Sequence, residues 1–349
     1  AAVSAVYRVN NGELPNGAST FSSDEGIDGH TNVAITTVES AWGGRVHETT
    51  EEIRKNAPRF FQTQERAVTA LDYKTLLQLA YPEITSINVY GGEEEDPPRY
   101  GKVVISTDVA NADGVAENKK SVWRAFLKEK CPLTIDPVFV DPTFLNLEID
   151  STVYYNISNT TRTENDLKAA VVTKVRVFNE LNLQDFNTSF RYSKLIADID
   201  DVDVSIKSND TNVTMYKDIN PVLNSTDPFK IEFLNAIRVL NVDSHAITST
   251  YFTYKGNLSR MQDDGAGNIY VVSQALINGL PASTTKIGSV DYNTGIISIS
   301  GLPITSYQGD AIRVRALTDR KDITAVRNNI IRIKDGDITV TMMGSRSSL

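Results

Sequence analysis

The sequence predicts an α+β fold: a central domain of two strand-strand-helix units on a mostly antiparallel sheet, followed by an all-β domain. Three observations predict it. Residues 84–131 and 135–178 each hold two β-branched runs and then a run of helical periodicity. Within the second, Leu145, Leu147 and Ile149 alternate with Asn146, Glu148 and Asp150, the two-residue period of a sheet with one wet face. Beyond residue 221 helical periodicity disappears, and short β runs alternate with turns of Gly, Asn and Asp. The expected division is 1–48 as the end of an upstream β region, 49–220 as the α+β domain and 221–349 as the all-β domain.

Residues 1–48 are rich in Gly, Ser, Asn and Thr, with a short β run at 33–38. The opening Ala1-Ala2-Val3-Ser4-Ala5-Val6-Tyr7-Arg8 lacks the basic-then-apolar layout of a signal peptide. Without an initiator Met, it reads as the C-terminal fragment of a longer chain. A helix then opens at Thr49, whose side chain can cap it together with Glu52 three residues on, a capping box. That helix carries Ile53 and Ala57 and is expected to break at Pro58, whose ring clashes with a continuing turn. A second helix starts with the same pairing, Thr69 with Asp72. It buries Tyr73, Leu76, Leu77 and Ala80 on one face and stops at Pro82.

Strands are predicted at 84–90 and 102–107, joined by the loop Gly91-Gly92-Glu93-Glu94-Glu95-Asp96-Pro97-Pro98. A helix over about 116–131 follows, with Val122, Trp123, Phe126 and Leu127 inward and Pro132 as its stop. In the second unit a strand at 135–140 leads through Asp141-Pro142-Thr143 into the alternating strand. The next helix opens at Thr163 with Asp166, and Leu167, Val171, Val175 and Phe178 form a single apolar stripe. A short helix at 193–199 precedes a predicted strand with Val202, Val204 and Ile206 opposite Asp201, Asp203, Ser205 and Lys207. In the last third, Asp263-Asp264-Gly265-Ala266-Gly267-Asn268 divides Met261 from a strand at 269–273. Tyr292-Asn293-Thr294-Gly295 links strands at 287–291 and 296–299, with Gly295 free to take the positive φ of a hairpin turn. The final strand is expected at 337–342.

At 349 residues the chain has material for two or three domains. A net charge of −9 with scattered basic residues argues against nucleic-acid binding, which draws on Lys and Arg facing phosphates. No apolar run is long enough for a membrane span. The single Cys131 excludes an intrachain disulfide, fits a reducing compartment, and precedes Pro132 at a helix end, the position of a small buried apolar residue. Seven Asn-x-Ser/Thr triplets occur, as an Asn- and Thr-rich chain produces them without glycosylation.

A search for chemistry assigns no catalytic, cofactor-binding or metal-binding residue. His30, His47 and His245 share no ligand spacing, and one cysteine cannot make a CxxC pair. No nucleophile elbow, phosphate loop or dinucleotide fingerprint is present. Glu93-Glu94-Glu95-Asp96 reads as a solvated loop. In Asp198-Ile199-Asp200-Asp201-Val202-Asp203 three acids could reach one Ca²⁺, yet Asp201 and Asp203 lie on the polar face of the predicted strand, which explains them without an ion. Residues 262–269 lack the first acid of a calcium loop, and Ser273 stands where its closing Glu belongs.

One resemblance rests on ordered motifs. Gly43-Gly44 is followed by Glu48-Thr49-Thr50-Glu51-Glu52-Ile53-Arg54 and then by Arg66-Ala67-Val68-Thr69-Ala70-Leu71-Asp72-Tyr73. Further on come Asp141-Pro142-Thr143-Phe144-Leu145-Asn146-Leu147-Glu148-Ile149, Arg191-Tyr192-Ser193-Lys194-Leu195-Ile196 and Asp200-Asp201-Val202-Asp203-Val204. Over about 43–210 this order resembles the baseplate J-like family of contractile-tail phages. With 83–92 and the β-rich extension beyond 221, it is similar to the family's large wedge members. The resemblance implies a non-enzymatic structural part of the virion tail baseplate, assembled in the host cytoplasm. It implies pairing with itself as a homodimer and docking with other baseplate wedge proteins, in a ring around the hub that rearranges on contraction. It carries over no catalytic residue, cofactor or metal. The alternative is a receptor- or carbohydrate-binding tail module, which needs exposed aromatic platforms. Only Trp42 and Trp123 are available, the latter on a predicted helix face.

Overall fold

The computed structural model describes residues 11–346 except 13, 23–25, 27, 29, 31–32, 38–40, 42–43, 45–46, 96, 110–114, 241–243, 278–279 and 282. Ala1 to Arg8, Val38, Trp42, Gly43 and Asp96 therefore lie outside the described residues. The β run expected at 33–38 carries no strand over 33–37. Contacts group the chain into two compact units, Ala1–Pro142 and Thr143–Leu349.

In the first unit, helices α1 (Thr50–Thr63) and α2 (Ala70–Ala80) precede strands β1 (Ile84–Gly91) and β2 (Lys102–Val109), helix α3 (Glu117–Lys128) and strand β3 (Asp136–Val140). Both predicted caps form. The Glu52 N–H donates to Thr49 Oγ1 at 3.3 Å and the Thr49 N–H to Glu52 Oε2 at 2.7 Å. Thr69 and Asp72 repeat the pattern. Contrary to expectation, α1 runs through Pro58. Arg54 and Pro58 are both exposed, so the Arg54 carbonyl that loses its donor faces water and the interruption costs little.

β1, β2 and β3 form a three-stranded sheet, antiparallel between β1 and β2 and parallel between β2 and β3. Its core takes Tyr73, Leu76 and Leu77 from α2, Ile87 and Ile105 from the strands, and Trp123 and Leu127 from α3. Trp123 is fully buried, with the rings of Tyr81 and Phe139 at 5.9 and 5.7 Å. Val122, expected inward, is half-exposed, because one narrow stripe of α3 covers so small a sheet. The helix also ends earlier than predicted: the N–H groups of Lys130 and Cys131 both turn back to the Leu127 carbonyl.

The second unit contains β4 (Thr143–Asn156), α4 (Glu164–Asn182), β5 (Ser189–Phe190), α5 (Tyr192–Asp200), β6 (Ile206–Ile219), β7 (Phe229–Glu232), β8 (Ile247–Ser249), β9 (Phe252–Tyr254) and β10 (Asn257–Asp263). It continues with β11 (Asn268–Ser273), β12 (Leu276–Ile277), β13 (Leu280–Pro281), β14 (Thr284–Asp291), β15 (Ile296–Ile299), β16 (Ile304–Tyr307), β17 (Ile312–Leu317), β18 (Ile323–Thr324), β19 (Asn329–Arg332) and β20 (Ile338–Ser345). Beyond Asp200 no α-helix occurs among the described residues, so the predicted all-β region stands.

Thirteen of these strands share one sheet, in the order β19-β4-β6-β17-β8-β10-β11-β14-β15-β7, with β20 also on β4 and β9 joining β10 to β16. Every pairing in it is antiparallel except those of β19 and β20 with β4. The α+β class holds, but the single sheet expected under both units is two. β3 pairs with β2 in the first unit, whereas β4 and β6 pair with strands from the last third of the chain. The grouping at 142/143 therefore differs from the expected 49–220 and 221–349, because a boundary at 220 would cut through one hydrogen-bonded sheet.

Leu167, Val171, Val175 and Phe178 on α4 are buried in one cluster with Leu145, Leu147 and Ile149 of β4, as their spacing predicts. Thr163 and Asp166 make the third capping box. The strand expected at 202–206 is instead a turn. The Ser205 N–H donates to Asp203 Oδ1 at 2.9 Å and the Ile206 N–H to the Asp203 carbonyl at 3.0 Å, leaving Val204 87% exposed. A short Asp side chain offers the backbone this alternative to a ladder. Both predicted hairpin turns form, with Gly265, Gly267 and Gly295 at φ of +70°, +93° and +69°.

Phe178 is 2% exposed and meets Phe190 edge-on at 5.9 Å. Phe178→Ala is expected to cost about 3–5 kcal/mol in urea unfolding, through lost burial and the cavity left behind. A loss under about 1 kcal/mol would take this face out of the core.

Candidate docking surfaces

The structure places the chemistry-bearing residues singled out from the sequence and disperses most of them. His30 and His47 are exposed. Cys131 is half-buried against the first core, with its Sγ 3.5 Å from the Ile135 carbonyl. Asp198 pairs with Lys174 at 3.2 Å, Asp200 accepts from Asn209 at 2.8 Å, and Asp203 holds its own turn beside Arg162. Among the described residues no three His, Cys, Asp or Glu side chains converge as metal ligands.

His245, Asp263 and Asp264 do come together, but as strand fasteners. His245 Nδ1 lies 2.6 Å from the Asp263 carbonyl. The buried Asp263 carboxylate accepts the Ile247 N–H at 2.9 Å and the Tyr292 hydroxyl at 2.7 Å, tying β8, β10 and the β14–β15 hairpin. Asp264 accepts the N–H groups of Ala266 and Asn268 across the β10–β11 turn. Burial opposes its ionisation, yet these bonds and the Asn268 side chain prevail and hold its pKa below the ordinary carboxylate value. Every polar atom named here is spent on structure.

A charged cluster that the sequence reading missed covers the wet face of β4, β6 and β17. Arg313 Nη1 donates to Glu148 at 2.9 Å and to Asp337 at 2.7 Å, and its Nε donates to Asp218 at 3.2 Å. Arg315 donates to both Glu148 oxygens, at 2.8 and 3.0 Å. The Arg313 guanidinium stacks 3.8 Å over the ring of Tyr216, whose hydroxyl donates to Asp337. The alternation Arg313-Val314-Arg315 was the available signal, because charges two apart on a strand share one face. Burial pushes Glu148 up, but the hydrogen bonds from Arg315 and Arg313 outweigh it and hold its pKa below the usual range. On the opposite side of β6, Lys217 donates to Asn329 at 3.2 Å. Burial depresses its pKa to about 8, against the nearby Glu232 charge.

Three surface features remain. α1 packs through Asn56 and Thr63 and leaves Ile53, Ala57, Phe60 and Phe61 facing solvent, an apolar strip of the kind that marks protein contacts. A polar groove of 290 Å³ lies between α1 and α2. In the second unit a broad hollow of 800 Å³ is bordered by Tyr192, Asn235, Arg320, Lys321 and Asp322. There Lys321 lies 4.1 Å over the Tyr192 ring, and Asp322 accepts the Tyr192 N–H at 2.9 Å. Trp123 is in the core and offers no platform for a sugar.

Comparison with known proteins gives a consistent answer. Residues 69–140 match the family model described as baseplate structural protein gp6, C-terminal domain I, and residues 143–218 match that for C-terminal domain III. The break between them falls where the two compact units part. The baseplate wedge protein gp6 of Enterobacteria phage T4 is 22% identical over 253 residues, covering 69% of this chain. The chain spans 37% of that relative's length. Among solved structures, a six-fold symmetrised cryo-EM baseplate of the anti-feeding prophage aligns over 53% of this chain and 43% of its own, at 16% identity and a TM-score of 0.34. Over 69–218 the chain is gp6-like in sequence.

Two measurements probe the ionisable groups. Glu148→Gln is expected to lose about 1–3 kcal/mol at pH 7, because Arg315 keeps only a neutral partner and Arg313 loses one of its three carboxylates. The folded-state pKa of Glu148 lies below 4.5, so its contribution is present above that pH and fades as pH falls through the folded value. Urea titrations of both proteins should converge in acid, and a gap that stays constant throughout the acid range contradicts the assignment. Lys217→Met is expected to gain about 1–3 kcal/mol at pH 7, since the folded state resists the charge. Between pH 8 and 10.5 the unfolded chain keeps the proton that the folded one has shed, so wild-type stability rises there and the gain disappears. An equal gain at pH 7 and pH 11 would mean that packing alone is responsible.

Proposed function

We propose that this chain is a gp6-like structural component of a contractile-tail baseplate wedge, resident in the virion and without catalytic chemistry. The observation that carries the reading is the match of the gp6 C-terminal domain I and domain III models, one in each compact unit. In this reading residues 49–220 are a baseplate J-like region and 221–349 extend its sheet. The chain forms a homodimer and docks with other wedge proteins in the ring around the hub. The whole molecule suits that work. The ionisable groups of its second-unit sheet are absorbed into strand pairing and ion pairs, while the α1 strip stays open to solvent.

Phage particles produced with this protein depleted test the reading. They are expected to lack assembled baseplates and to fail in contraction, with the chain found by mass spectrometry in the baseplate fraction of complete virions. Intact, contracting baseplates in its absence would end the proposal.

A further inference from the structure

β20 lies beyond β4 at one side of the large sheet, and its outer edge is open. Its eight residues follow β4 in unbroken parallel register, from Ile338 on Ile149 to Ser345 on Asn156. In such a ladder alternate residues turn both N–H and C=O toward the neighbouring strand, and those between turn both away. From Ile338 to Gly344 no outward backbone group meets a partner among the described residues. A row of free N–H and C=O groups is a template for another strand.

Other edges of the protein are guarded. β19, which lines the same side of β4, is covered by a loop: the Gln184 N–H donates to the Ile331 carbonyl at 3.2 Å, and Phe186 bridges Ile330. β7, at the far end of the sheet, has only four residues, carries Lys230 and follows Pro228. β3 has five residues and contains Pro137. Shortness, lysine and proline are the devices that keep an edge from pairing. β20 has none of them. Its sequence, Ile-Thr-Val-Thr-Met-Met-Gly-Ser, carries no charge from end to end.

We propose that β20 of one copy pairs antiparallel with β20 of a second copy, about a two-fold axis at Thr341, joining two large sheets into one. The strand's own pattern selects itself as the partner. Centred on Thr341, the register sets Thr339 of one copy opposite Met343 of the other, and Val340 opposite Met342. Exposed residues then meet exposed ones and buried residues meet buried ones, with no like charges face to face. Just past the strand, Arg346 is exposed and has no partner among the described residues. In this register it reaches the other copy's Asp335-Gly336-Asp337 turn, where Asp335 is exposed beside Arg176. The two-fold axis makes that contact twice, once at each end of the paired strands. The inference rests on the homodimer in the reading above and names the strand that forms it.

Two measurements on the full chain test it. Single cysteines are placed in a Cys131→Ser background, circular dichroism confirming that each variant is folded. Thr341→Cys stands opposite its own counterpart on the axis, within disulfide reach. Thr339→Cys is displaced from its counterpart by four residues, roughly 13 Å along the strand at about 3.3 Å per residue. Mild oxidation is expected to link Thr341→Cys into dimers roughly tenfold or more faster than Thr339→Cys. Sedimentation then compares wild type, Thr341→Lys, Thr341→Glu and an equimolar mixture of the two variants. Each variant alone is expected to dimerise roughly tenfold or more weakly than wild type, because like charges face one another across the axis, and the mixture to recover. A wild-type dimer in which the two cysteines link equally fast would overturn the β20 pairing and leave the homodimer in place. So would charge variants that dimerise like wild type, or a mixture that does not recover. A wild type that stays monomeric at every concentration would overturn both, while the depletion experiment above judges the baseplate assignment separately.

Discussion

β4 must be satisfied along both edges, and the second unit is arranged around that requirement. Its fourteen residues place Leu145, Leu147, Ile149 and Val153 in the core, where unpaired backbone groups would be costly. β6 serves one edge from Asn146 to Tyr155, antiparallel and close in sequence. The other edge is served by β19 and β20, in parallel, from the far end of the chain. Parallel partners require a crossover, and here the crossover holds nearly all the remaining strands. Residues 143 and 329 pair across everything that lies between them in the chain. Thr143 and Asn329 mark that closure, joined at 2.5 Å by their side chains.

The same strand organises the charges. Its outward residues, Asn146 and Glu148, lie opposite Tyr216 and Thr214 of β6, and β17 brings Arg313 and Arg315 alongside. Three carboxylates share two arginines on a face that is only partly wet. Isolated surface pairs contribute little, but a network with stacked and bidentate arginines is held in fixed geometry. The cluster fastens strands to one another, since each arginine spans more than one strand.

The first unit works differently. Its sheet has three strands and one aromatic centre at Trp123, covered by α2 and α3. α1 contributes little to that core and leaves both an apolar strip and a cationic groove at the surface. Stability thus comes from α2, α3 and the sheet, and α1 is free to serve contacts beyond the chain.

What could be read from the residues alone was whatever is decided within a few positions along the chain. Three capping boxes, the buried stripe of α4, the alternation of β4 and the glycine turns at 265, 267 and 295 all follow from contacts between near neighbours. The α+β class and the all-β last third follow from summing such signals. Tertiary structure alone decided which strands pair, because the partner of β4 lies nearly two hundred residues away and any β-branched run would suit its edge equally. It decided that α1 survives Pro58, since water rather than a core faces the broken bond. It set Lys55, Arg59 and Thr75 around one groove. Those outcomes depend on what surrounds a residue in space, whereas the turn at 202–206 has a local cause, the hydrogen bonds of Asp203, that the alternating pattern concealed.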